Sequence, residues 1–481
     1  MINPMISRQR ALAGWLPVLV LLAVAPAQAV QPPPQALPSD LWRVYLDARQ
    51  NNSELAAARA DQAARAEALP QARAGLLPTL SASADLNSTR TSLQQPRQDT
   101  QRSSTSYQAV LNQPVFRVDR WFTFKAAQAE DRQARLELAA AEQKLMLDSA
   151  QAYFGLLKAQ DALAAAKAEE AALKRQQQLA ERGLQLGLSD RTDVLQAQAG
   201  HDTARANRIV AQKHTDDAFE ALDTLTHQQY QAIQGVRHDM PVLLPEPNEA
   251  RRWVDTAVRQ NLTLLASQHA LDATLQTLRA RKAGHAPTLD AVVRYQTGDN
   301  DGLGYGNSDI RGNGYGGTVQ QRSVGLQLNI PLFSGGQTRS QVREAHQRMN
   351  QREYLNDNLQ RQVVEQTRNL HRGLNSAVDQ VQARRQSIIS NQGAVLASQL
   401  GFQVGTRNIV DVLEAQRQLY NAVRQYNDSR YDYILDTLRL KQAVGTLSPQ
   451  DLKALGDYLK ADYDPDRDFL PPEFPRRLAR R

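Results

Sequence analysis

Apolar positions along the chain follow two periods, and the switch between them occurs twice. Over residues 41–75 they return every three or four positions, which predicts helix. Over residues 77–86 the step becomes two: Leu80, Ala82, Ala84 and Leu86 alternate with small polar residues, which predicts a strand. A polar stretch rich in Ser, Thr and Gln reads as a loop. It leads to a second strand over 107–116 that ends in Pro114-Val115-Phe116. No proline occurs from residue 117 to 240, a length that predicts one helix out to a turn near 187 and another back to about 234.

The pattern then repeats. Residues 261–288 match 52–79 at a constant offset of 209, with Ala283-Gly284 on Ala74-Gly75 and Pro287-Thr288-Leu289 on Pro78-Thr79-Leu80. Leu289, Ala291, Val293 and Tyr295 alternate as a third strand. A Gly-rich loop over 298–317 precedes a fourth, in which Val324, Leu326, Leu328, Ile330 and Leu332 alternate with small or polar residues. Pro331-Leu332-Phe333 repeats Pro114-Val115-Phe116 at an offset of 217, so the second copy is eight residues longer between the matched points. The helix predicted over 337–400 would rise ~95 Å, and its thin apolar seam (Val342, Ala345, Met349, then Val363, Val364, Thr367, Leu370) suits a coiled coil.

Each long helical pair turns at a Gly-x-x-x-Gly, Gly183 to Gly187 and Gly401 to Gly405, 218 residues apart. Two glycines so placed break a helix, and Asp-Val-Leu-x-Ala-Gln from Asp193 or Asp411 restarts one with an acidic residue in its first turn. The chain thus divides into a first repeat over 39–240, a Pro-rich linker over 241–247, a second repeat over 248–448, and a tail over 449–481 with a short helix and a flexible basic end.

Four such strands cannot close a barrel alone, because membrane barrels begin at eight strands and tolerate no open edge in lipid. Three copies would supply twelve. The fold class expected is mainly α with a membrane β-barrel built by a trimer, the hairpin tips forming the mouth of a tube.

Charge and composition narrow the function. The chain carries 57 Lys+Arg against 50 Asp+Glu, an excess too small and too dispersed for a nucleic-acid footprint. Arg8 and Arg10, an apolar run and Ala27-Gln28-Ala29 predict a cleaved signal peptide over 1–29, with a Pro-rich linker over 30–38. No other stretch is long and apolar enough for a membrane helix. There is no Cys, hence no thiolate metal site, and the eight His are scattered without ligand spacing. Gly302-x-Gly304-x-Gly306 lacks the following helix a phosphate loop needs. Asp299-Asn300-Asp301 lacks further oxygen ligands, so neither cofactor nor metal is expected. No catalytic constellation emerges.

These residues resemble the TolC family of outer-membrane channel-tunnel proteins. The most specific parts are Val404-Gly405-Thr406-Arg407 with Ile409-Val410-Asp411-Val412-Leu413, the Pro331-Leu332-Phe333-Ser334-Gly335-Gly336 corner, and Ala443-Val444-Gly445-Thr446-Leu447. The resemblance implies a homotrimer with a twelve-strand barrel in the outer membrane and a twelve-helix tunnel in the periplasm. It implies docking at the tips (Gly183, Leu184, Gly187, Leu188, Ser189, Gly401, Val404, Gly405, Thr406) by a periplasmic adaptor and an inner-membrane ABC or proton-driven transporter. By position, Arg407 matches the arginine tying one inner hairpin to its neighbour, with Thr192 and Asp193 matching its partners. Asp411 matches the first acidic residue of the constriction. Glu414 stands where the closest members carry Asp, and Phe402 where a gate tyrosine is often found. Residues 407, 411 and 414 are spaced for one helix face, so three copies would ring a narrow pore with carboxylates and favour cations. Solvated charges at a helix start are the alternative for these residues. The chain is expected to be an exit duct for secreted proteins, small toxic compounds or both, with a periplasmic adaptor or a coiled-coil scaffold as the other readings.

Overall fold

The computed structural model describes residues 38–94, 97–187, 189–299, 303 and 317–472. The predicted signal peptide, Leu188, most of the Gly-rich loop and residues 473–481 lie outside the described residues. In chain order the first repeat comprises α1 (Leu41–Asn51), α2 (Ser53–Ala66), α3 (Ala68–Ala74), β1 (Thr79–Gln94), β2 (Arg97–Phe116), α4 (Val118–Gln185), α5 (Arg191–Thr226) and a short β3 (Gly235–Val236). The second comprises α6 (Ala250–Gln260), α7 (Leu262–Lys282), β4 (Thr288–Asp299), β5 (Thr318–Asn329), α8 (Gln337–Gln403) and α9 (Ile409–Ala443). The tail adds α10 (Pro449–Gly456), β6 (Leu459–Lys460) and α11 (Pro465–Asp468).

Several boundaries differ from the sequence reading, each for a physical reason. The first helical stretch is three helices, because Asn52 leaves helical geometry to cap α2, its side chain accepting from Leu55 N–H at 2.9 Å. The polar "loop" is strand: β1 and β2 pair in unbroken register from Thr79↔Asn112 to Gln94↔Arg97. Ser and Thr suit a strand, but a ribbon polar on both faces shows no alternation to read. Conversely β5 stops at Asn329, short of Ile330 and Leu332. The return helix α5 ends at Thr226, where His227 takes a left-handed φ of 56°.

The duplication is visible in hydrogen bonds. Asn52 donates from Nδ2 to Leu225 O at 3.4 Å, and Asn261, its counterpart, to Ala443 O at 2.8 Å. Each asparagine therefore caps one helix and fastens the end of its repeat's return helix to the same joint.

The four long strands form one antiparallel sheet in the order β1-β2-β4-β5, so β1 and β5 are its edges. Helices α3, α4, α7 and α8 flank the strands in sequence and pack in that same order, continuing the sheet as a helical layer. The hairpin α8–α9 is a coiled coil: the buried positions Leu374, Val381, Ile388 and Val395 of α8 recur every seven residues. The main core lies where α4 and α9 cross, around Tyr153, Phe154, Leu157 and Tyr431.

The tail is not loose over its described part. Phe469 is buried, Asn427 Nδ2 donates to its carbonyl at 2.8 Å, and Tyr463 packs on Gly235. Tyr431 and Tyr463 both donate to the buried Asp161 carboxylate, Tyr431 at 2.8 Å. Burial pushes the Asp161 pKa up to about 6, against the two tyrosine hydrogen bonds and the Arg430 charge that lower it. Its folded pKa exceeds the unfolded value, so its protonated form favours the folded state and stability falls as pH rises from about 4 through 6. The span corresponds to about 3 kcal/mol. Asp161→Asn is expected to flatten the stability-versus-pH curve in that window, as followed by chemical denaturation at pH 4 to 7.

Candidate functional site at the paired hairpin tips

Each tip is built by two glycines with different tasks. The helices run through the first glycine rather than breaking there, which corrects the sequence reading. Gly183 lies within α4 and Gly401 within α8. A Cβ on Gly183 would sit 2.5 Å from Ser189 Oγ, and one on Gly401 2.6 Å from Arg407 Cγ, so the first glycine lets the loop fold back onto the helix. The second glycine ends the helix in the left-handed region, φ 72° at Gly187 and 77° at Gly405. At the second tip Thr406 N–H reaches Gly401 O at 2.8 Å and Gly405 N–H reaches Phe402 O at 3.1 Å, a Schellman closure. The returning helices are capped alike: Asp190 accepts from Asp193 N–H at 2.8 Å and Asn408 from Asp411 N–H at 2.9 Å. These caps, three residues before an acid, were readable in the sequence and were overlooked there.

The gate candidates divide between the two tips. Arg407 lies in the loop, not on the helix, yet its guanidinium is 3.8 Å from Asp411, the arginine largely exposed. Glu414 is exposed one turn on, bonded to Arg417 at 3.3 Å and Gln418 at 3.1 Å. Exposed pairs of this kind contribute about 0–1 kcal/mol, so Arg407 is held only weakly by its own protomer. Thr192 is exposed and Asp193 half-buried in the first turn of α5. Among the described residues no hydrogen bond or ion pair joins either to Arg407 within the protomer. Phe402 packs against a small cluster of Leu173, Ala204, Ile409 and Leu413, which draws from both hairpins and holds their lower ends together. Around the turns Leu184, Leu186, Leu400 and Val404 are exposed.

At the far end, the sheet has two unlike faces. Cross-strand partners place Leu80, Leu111, Val293 and Val324 in one row and Ala82, Ala109, Tyr295 and Arg322 in the next. Leu86, Val324, Leu326 and Leu328 on this face are 60–83% exposed. The opposite face carries Ser81, Asn112, Asp290 and Gln327. An apolar face left open across four strands, above helices that end in paired tips, needs lipid or protein to cover it.

The family model described as "Outer membrane efflux protein" matches residues 44–227 and again 253–446, one block for each repeat. The chain belongs to the outer membrane efflux protein family. It is similar to the "Outer membrane protein TolC" of Vibrio cholerae, 33% identical over 425 residues, covering 88% of this chain and 94% of that one. It is also similar to the "Alkaline protease secretion protein AprF" of Pseudomonas aeruginosa, 28% identical over 358 residues, with 73% of this chain and 72% of that protein covered. Among solved structures, the Campylobacter jejuni CmeC outer membrane channel superposes with a TM-score of 0.71 at 18% identity, over 87% of this chain and 90% of that one. The TolC resemblance expected from the sequence is thereby shown, and the fold is that of an outer-membrane channel protomer.

Proposed function

We propose that three copies of this chain form an outer-membrane exit duct, carrying secreted proteins, small toxic compounds or both across the periplasm and outer membrane. The observation that carries this reading is the four-stranded sheet with one exposed apolar face, one polar face and two unpaired edges. In lipid both edges must find partners, and the next copy's β1 beside β5 supplies them, closing twelve strands around a polar lumen. The helical layer, in the same order as the strands, then continues below as a tunnel with α8 of one copy against α3 of the next. The similarity to a secretion protein and to efflux-family channels supports both cargo classes.

The tips are the closed end. Arg407, poorly held within its own protomer, links to Thr192 and Asp193 of the neighbouring copy, while Asp411 and Glu414 from three copies ring the constriction. The exposed apolar rim around Leu184 and Val404 receives a periplasmic adaptor, which brings an inner-membrane ABC or proton-driven transporter. Two hairpins and an edge-open sheet fit a duct better than an adaptor or a coiled-coil scaffold.

Reconstitution into a planar bilayer tests this. The mature protein is expected to migrate as a heat-modifiable trimer and to give small cation-selective channels. Asp411→Asn with Glu414→Gln is expected to lower the cation preference several-fold. A monomer that leaves the bilayer silent contradicts the proposal.

A further inference from the structure

The junction between strands and helices concentrates the basic excess of the chain. Residues 68–78, 117–125, 276–287 and 330–343, which flank the helix-side ends of the four strands, hold nine Lys and Arg against one carboxylate, Asp119. Two of the nine are engaged internally, and a third lies on the acidic side of the junction. Arg117 pairs with Asp119 at 3.1 Å and Asp290 at 3.5 Å, Arg120 donates to Gly75 O at 2.7 Å, and Arg281 lines a groove with Asp119 and Glu130. The other six, Arg73, Lys125, Arg279, Lys282, Arg339 and Arg343, make no ion pair among the described residues, Lys125 and Arg279 donating to the neutral Gln128 and Gln276. All of them except Lys125 are exposed.

Position on the helices separates the two groups. At 100° per residue, Trp121 and Lys125 lie on the side of α4 opposite Thr123 and Glu130, and Arg279 lies about 160° around α7 from Arg281. The side away from the acidic groove therefore carries cations without carboxylates. It also carries apolar anchors at the level of the Pro-x-Phe corners. Leu332 and Phe333 are 92% and 89% exposed, Phe116 and Trp121 about half, and the Lys125 ammonium lies 5.1 Å from the Trp121 ring centroid. Lys125 begins no more than about 12 Å below the end of β2, within side-chain reach of a headgroup layer.

From this juxtaposition we infer that the collar of Arg73, Lys125, Arg279, Lys282, Arg339 and Arg343 binds the headgroups of anionic phospholipids in the periplasmic leaflet. The inference rests on the membrane reading given under the proposed function. Aromatic and aliphatic side chains exposed beside the sheet seat the protein at the lipid–water boundary, and unpaired guanidinium groups just beneath meet phosphates. A neutral zwitterionic surface would not reward an acid-depleted collar. An anionic one gains roughly fivefold in affinity for each cation near it.

Trp121 provides the readout. In a Trp15→Phe, Trp42→Phe, Trp253→Phe background, which leaves Trp121 as the single tryptophan, the protein is reconstituted in liposomes and its fluorescence titrated with brominated phosphatidylglycerol or brominated phosphatidylcholine. Phosphatidylglycerol is expected to quench with at least a several-fold higher relative affinity. Gln at all six collar positions together should abolish the preference, and Lys at the four arginine positions should retain it. Equal quenching by the two lipids, or a preference that survives the Gln changes, overturns the headgroup site while leaving the duct intact. Quenching by neither lipid removes the membrane reading as well.

Discussion

Gly445→Ala is expected to cost more stability than substitution of any tip glycine, about 4 kcal/mol or more. Gly445 follows α9 with φ 80°, a region where a Cβ alone costs about 1–2 kcal/mol. Here the added carbon would also fall on the backbone of the α6–α7 joint, meeting the Gln260 carbonyl, with Asn261 Cα at 3.1 Å. That joint has little room to give. Asn261 caps α7 and ties Ala443, while the buried Gln143 Nε2 donates to Gly445 O at 3.1 Å and Leu447 O at 2.9 Å. Gly187 and Gly405 share the left-handed geometry but have nothing within 4 Å of the missing Cβ, so Ala there should cost only about 1–2 kcal/mol. Thermal unfolding of the purified protein would rank the three variants. A Gly445→Ala protein no weaker than Gly405→Ala would mean that the joint is not close-packed.

Arg407→Ala is expected to raise the resting conductance of the reconstituted channel several-fold with little loss of stability. Within one protomer the residue has only an exposed carboxylate at 3.8 Å, so its removal subtracts little from the fold. In the proposed gate its contribution lies between copies. On that proposal the absence of a hydroxyl at Phe402 leaves more of the closure to Arg407, the Phe402 ring packing against the cluster with Leu173 and Leu413. Arg407→Lys should sit between the two, keeping charge but losing the planar fork. Conductance unchanged in Arg407→Ala would remove this residue from the gate.

The parts of the fold legible in the sequence were those written in a period or in a break of period. The three- and four-residue steps of Val342, Ala345, Val363, Thr367 and Leu370, the alternation of Val324, Leu326 and Leu328, and the 209- and 218-residue offsets each map onto an element. What stayed hidden had no such signature. The β1–β2 ribbon beyond Leu86 is polar on both faces, so pairing rather than side-chain alternation makes it strand. The breaks at Asn52 and Asn261 are caps placed inside an unbroken apolar period. The tail looked free because the partners of Tyr463 and Phe469, Asp161 and Asn427, are remote in sequence.

At the tips, residue types and spacing located the turns, whereas the roles of the two glycines needed the backbone. Ser189 and Arg407 stand at equivalent positions, and each fills the space that its first glycine leaves. One structural rule thus carries a short polar side chain in one tip and a cation in the other. That difference, set on a shared turn, makes only the second tip a source of positive charge at its closing residue.

In the proposed duct β5 of one copy pairs with β1 of the next until three have closed. The chain has no cysteine, so the claim can be tested with introduced ones. Ala84→Cys, on the apolar face of β1, would be combined in turn with Val324→Cys, Leu326→Cys and Leu328→Cys on the same face of β5, and the membranes oxidised mildly. A disulfide needs Cβ atoms about 4 Å apart, a distance met only by neighbours in register. A covalent ladder that stops at three chains for one of these pairings is the predicted result. No intermolecular product at any register, or a ladder that stops at two, would contradict the shared barrel.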